Sequence, residues 1–141
     1  MALVHHNVDL SKKKQEYLRR VNDKREAVFM AGHVVPTAVS SSFSGKILQT
    51  REVDRANWLT SYSAYSEAVA AGHGTDMGAN FRTADNTMVH VSFEEGLSVL
   101  RDLRSWGAEV YNHSWALKDA IVAADTVSAL AAIDIESGWS S

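Results

Sequence analysis

The chain has 141 residues, 45% hydrophobic and 22% charged, the proportions of one globular domain with a modest core. Its net charge of −3 gives no basic field to hold nucleic acid or an anionic membrane surface. Cysteine is absent, which excludes disulfides, thiol catalysis and thiolate metal ligation together.

The N-terminal stretch MALVHHNVDLSKKK lacks the long apolar run of a signal peptide, and no segment approaches the ~18 apolar residues of a membrane span. A soluble protein made in the cytoplasm is expected. Asp9 or Ser11 can cap a first helix running to about Ala27. Its apolar positions are sparse: Leu10, Tyr17, Leu18, Val21 and Val28. So thin a stripe fits a coiled-coil seam or a helix lying on a partner, against the plainer alternative of packing on its own domain. Lys12, Lys13, Lys14, Arg19 and Arg20 are diluted by Glu16, Asp23 and Glu26 and read as a solvated face.

From Val28 to Leu48, β-branched residues are broken by Gly32, Pro36, Ser40-Ser41-Ser42 and Gly45. Short strands are expected, with a hairpin at Ser44-Gly45. Thr50 opens a second helix from Arg51 to about Ala71, on which Trp58, Tyr62, Tyr65 and Val69 share one face. An aromatic stripe at this spacing belongs to a core or an interface. A loop follows at residues 72–78.

Ala84-Asp85-Asn86-Thr87 forms a turn, since Asp and Asn tolerate positive φ. Met88-Val89-His90-Val91 alternates as a strand, and Ser92-Phe93-Glu94-Glu95 has capping-box spacing. The third helix carries Leu97, Leu100, Leu103, Trp106 and Val110, with a bend expected near Asn112. Asp125-Thr126 caps a last helix, Val127 to Ile133. The class is α+β: an N-terminal helix, two short antiparallel hairpins alternating with helices, and a helical C-terminus. Residues 1–21 read as a helical anchor and residues 22–141 as one compact domain.

No chemical constellation emerges. His5 and His6 are adjacent and cannot share one ion well. His33 has no ligand-like neighbour in sequence, and His73 with Asp76 is a two-ligand fragment. His90 and His113 suit structural hydrogen bonds. Ser40, Ser41 and Ser42 lie in no nucleophile elbow. Glu94 and Glu95 point about 100° apart on a helix. No phosphate loop is present. No catalytic, cofactor-binding or metal-binding residue is nominated.

Two segments, FSGKILQTREVDRANW (Phe43 to Trp58) and FRTADNTMVHVS (Phe81 to Ser92), resemble motifs of a small domain of unknown function found in phage tail-fibre and tail-fibre-assembly proteins. In FSGKILQTREVDRANW, the matching positions are Phe43, Gly45, Gln49, Thr50, Arg55 and Asn57. In FRTADNTMVHVS they are Phe81, Ala84, Asp85, Asn86, Thr87 and Val89. Asn22 to Ala27 and the residues His113, Leu117, Lys118, Ile121, Ala129, Leu130, Ile133, Gly138 and Trp139 extend the likeness to about Asn22–Trp139. The chain departs from that pattern by extra residues around Gly32–Ser42 and by lacking a long fibre-like N-terminal part.

The resemblance implies a non-enzymatic virion component of a tailed phage, at the distal tail, baseplate or fibre, contacting other tail proteins. The alternatives are a tail-fibre assembly chaperone and, from another class, an enzyme acting on host surface glycan. It also implies self-association, three-fold by analogy with fibres. Candidate interface residues are Leu10, Tyr17, Leu18, Val21, Trp58, Tyr62 and Tyr65. Fold-specifying residues are Gly45, Thr50, Arg55, Asn57, Asp85 and Asn86. Gly45 and Asp85-Asn86 would make turns, Thr50 a helix cap, and Arg55 and Asn57 bonds to strand or loop carbonyls.

Overall fold

The computed structural model describes the chain from Ala2, with side chains described from Asp9 onward. Among the described residues, four α-helices and two antiparallel strand pairs follow in the order α1 (Ala2–Ala31), β1 (His33–Val34), β2 (Ile47–Leu48), α2 (Glu52–Ala70), β3 (Met77–Arg82), β4 (Met88–Ser92), α3 (Phe93–Ala123) and α4 (Val127–Ala131), with a short 3-10 turn at Ser41–Phe43 between β1 and β2. This is the α+β order expected from sequence. Among the described residues, no helix is long and apolar enough to cross a membrane.

The first helix outruns its expected span at both ends. Residues 2–31 contain neither proline nor glycine, so nothing interrupts the helical ladder. The boundary expected between residues 21 and 22 therefore falls inside α1, and Val28 is helical rather than extended. Gly32 ends the helix at φ +87, the left-handed conformation that glycine adopts without a Cβ penalty.

The chain forms two compact units: Met1–Val28 with Ala108–Ser140, and Phe29–Gly107 with Ser141. In the first, Val21, Leu117, Ile121, Ala124, Leu130 and Ile135 form a buried cluster. Leu10, Tyr17, Leu18, Ile133 and Trp139 pack against it. The thin stripe on α1 is thus covered by the second half of α3 and by the α4 region. The candidate interface residues Leu10, Tyr17 and Leu18 are partly buried within the first unit itself, together with the buried Val21. The last of these has no exposed surface at all. Thr126 caps α4 by accepting from the Ala129 amide at 3.0 Å, as its residue type predicts. α3 is one continuous helix of 31 residues through Asn112, where a bend is expected from sequence.

The second unit is built on β3 and β4, whose inward positions Ala79, Phe81, Val89 and Val91 are buried while their neighbours face out, the period-two pattern of a half-buried sheet. Thr83 to Thr87 closes the hairpin, with Asn86 at φ 68 and its amide donating to Thr83 O at 2.9 Å. That is the turn expected at Asp85-Asn86. Phe81 is the hub of the core. Its ring lies 5.1 Å from Phe43, 5.7 Å from Trp58 and 5.9 Å from Tyr65.

β1 and β2 pair as His33↔Leu48 and Val34↔Ile47. Ser44 and Gly45 both take positive φ in a turn closed by the Lys46 amide on Phe43 O at 2.9 Å. This tight turn leads into β2, but it is not the hairpin connection itself, which spans residues 35–46. Ser40 holds that excursion down by donating to Glu95 Oε1 at 2.7 Å. Glu95 therefore makes only half of the expected capping box. Its amide donates to Ser92 Oγ at 3.2 Å, while its carboxylate serves the loop.

Asp85 is anchored by Lys46 at 2.5 Å and by Thr83 at 2.5 Å. The Lys46 hydrogen bond first, then those from Thr83 and Thr87, hold its carboxyl well below the usual carboxylate range. A depressed folded pKa adds stability above the unfolded value of about 3.9 and loses it as pH falls through the folded value. Asp85→Asn is expected to flatten the acid limb of the stability curve below about pH 4, read by chemical denaturation across pH. An unchanged acid limb would show that the carboxylate is not titrating there.

Candidate functional site

α2 starts at Glu52, and its cap is Arg51 rather than Thr50. Asp54 accepts from the Arg51 amide at 3.1 Å and from its Nε at 2.7 Å, so the carboxylate satisfies the backbone N–H of the cap residue and pairs with its side chain. The Arg51 hydrogen bond holds the Asp54 carboxyl below its ordinary value. Thr50 instead donates its hydroxyl to Phe29 O, pinning the end of α1 to the start of α2.

Between these elements and α3 lies an apolar groove of ≈ 280 Å³. Phe29 and Thr50 lie at one side. Arg55, Trp58, Leu59 and Tyr62 come from α2, at helical spacings of three, one and three. Leu100, Leu103, Arg104, Trp106 and Gly107 come from α3. The stripe read as core or interface thus divides. Tyr65 is 8% exposed and packs on Phe81 and Phe93, which removes it from the candidate interface. Trp58 and Tyr62 stay at the groove.

Each polar group there is held in a particular way. Trp58 Nε1 donates to Gln49 O at 2.8 Å. The Arg104 guanidinium sits 5.5 Å from the Tyr62 ring centroid and donates to the Tyr62 hydroxyl at 3.3 Å. Arg101, by hydrogen bonding first, and then the charge of Arg104 lower the Tyr62 phenol's pKa. Among the described residues, no strand or loop carbonyl accepts from Arg55, which differs from the bond expected of it. Its guanidinium covers the Phe29 ring at 4.4 Å, a cation–π contact. Arg55 Nη1 and Trp106 Nε1 are buried without an acceptor among the described residues, each a cost of about 1–3 kcal/mol when left unpaired. Asn57, expected to make similar bonds, is exposed.

Each described histidine has a hydrogen-bond partner in the fold. His33 Nε2 lies 2.6 Å from Asp102 Oδ2, and Nδ1 lies 2.9 Å from the main-chain oxygen of Ser141. Its ring stacks on Trp106 at 4.8 Å. Both ring nitrogens are committed, so His33 has none free to act as a base. Sequence reading missed this pair, because 69 residues separate its members and no local pattern marks them. His73 pairs with Asp76 at 2.9 Å on the surface, His90 with Asn80, and His113 donates to Ser137 O at 3.0 Å. The side chains of His5 and His6 lie outside the described residues. Among the described residues, no three His, Asp or Glu side chains gather as a metal would need.

No curated protein and no solved structure matches the chain. Among known families, one model aligns with residues 12–137, which is nearly the whole length. The chain belongs to that family, described as a domain of unknown function, DUF4376.

Proposed function

We propose that this chain is a non-enzymatic structural component of a tailed-phage virion, placed at the distal tail, baseplate or fibre. The groove between α2 and α3 carries the reading. It is open, apolar and edged by arginines, the make-up of a surface that takes another protein. The sequence resemblance of Phe43–Trp58 and Phe81–Ser92 to tail-fibre-associated domains supplies the setting. The partners are other tail or fibre proteins. Self-association, three-fold by the same analogy, would run through surfaces other than the Leu10–Val21 seam, which the first unit covers itself.

Peptide mapping of purified particles tests this. The chain is expected in stoichiometric amount. Finding it only in the infected-cell lysate overturns the reading, and co-purification with an immature fibre would then make it an assembly chaperone.

A further inference from the structure

We infer that the groove of the second unit docks a segment of a partner protein in which a large apolar side chain stands next to a carboxylate. The inference rests on the assembly role proposed above and names the chemistry of the partner. The volume of ≈ 280 Å³ is at the small end of ligand pockets, which run from about 300 to 1,000 Å³. It suits one or two anchoring side chains better than a whole cofactor. The walls are of the types that dominate interface energetics: Trp58, Tyr62 and two arginines. Leu59 stands 71% exposed at the rim, an apolar surface that docking would cover.

Charge selects the partner. The chain is acidic overall, at −3, yet Arg55 and Arg104 line the groove and Arg101 stands three residues from Arg104 on α3, with no carboxylate partner for any of them among the described residues. The nearby acids are already used, Asp54 by Arg51 and Asp102 by His33. Arg104 turns to the Tyr62 hydroxyl at 3.3 Å, a weaker acceptor than a carboxylate. Behind the same wall, Arg55 Nη1 and Trp106 Nε1 lack acceptors. An incoming acidic group would meet a site with donors in excess, and its apolar neighbour would fill the space between the helices.

The test uses the full chain and two synthetic peptide arrays. In one, Leu, Phe or Trp is flanked by Glu and Asp; in the other, the flanks are Lys. The acidic array is expected to bind at least tenfold better, and saturating peptide should shift the indole N–H resonances of Trp58 and Trp106. Leu59→Glu alters an exposed position and should weaken binding at least tenfold with an unchanged melting curve. The double variant Arg101→Glu with Arg104→Glu, also at exposed positions, should invert the preference toward the Lys-flanked array. Equal binding of the two arrays, or none, overturns the proposal. So does binding of dodecanoate without binding of any peptide, which would make the groove a lipid site. The purified chain decides this without particles, so a failed array leaves the particle mapping to stand, and failed mapping leaves the array result intact.

Discussion

Replacing Phe81 with alanine is expected to lower the unfolding free energy of the second unit by roughly 3–5 kcal/mol. The side chain is fully buried and is touched on three sides by Phe43, Trp58 and Tyr65. Truncation therefore removes transfer energy and also leaves a void. The surrounding rings come from two separate elements, Phe43 from the β1–β2 connection and Trp58 and Tyr65 from α2, and cannot all move inward. Urea denaturation followed by tryptophan fluorescence gives the value, with Trp58 as a local reporter. A loss below about 1 kcal/mol would mean that the ring is not the hub that its contacts suggest. Phe81→Leu, which keeps most of the volume, should cost clearly less.

Gly32→Ala is expected to cost about 3 kcal/mol, from two sources that add. The residue sits at φ +87, and a Cβ there would lie 2.7 Å from the Leu48 carbonyl oxygen and 2.6 Å from Ile47 Cγ2. The side-chain atom can rotate away, but the carbonyl belongs to β2 and is paired with His33. Relief thus requires the strand pair to shift. Gly45→Ala and Gly72→Ala provide the control. They share positive φ, at +73 and +88, but have nothing within 4 Å, so each should lose only about 1–2 kcal/mol. If all three variants lose the same amount, backbone strain alone accounts for the effect, and the close approach to β2 is not a constraint.

Local signals carried much of the fold. Asp85-Asn86 marked its turn through tolerance of positive φ, Ser92 and Thr126 marked helix starts by hydroxyl caps, and the alternation of Met88–Val91 marked a strand. What stayed hidden depends on residues far apart in the chain. Val28–Ala31 looked extended because valine and phenylalanine favour strands, yet packing around buried Phe29 keeps them helical. The α1 seam looked too thin because the cluster that covers it comes from residues more than ninety positions later. Thr50 looked like a cap because its partner, the Phe29 carbonyl, lies on another helix. The groove was half legible. Trp58 and Tyr62 stood out as a stripe, but only the fold sets Arg101, Arg104 and Trp106 from α3 opposite them.

The Ala84 amide donates to Ile47 O at 2.8 Å, joining the turn of one strand pair to the free edge of the other. Pairs of two strands are marginal by themselves, and this bond makes the opening of one hairpin depend on the other. Ala84 is exposed, and an amide in such a turn would ordinarily exchange with solvent deuterium as fast as any fraying loop. Here its exchange is tied to separation of the two sheets, so a surface turn keeps time for the interior of the second unit.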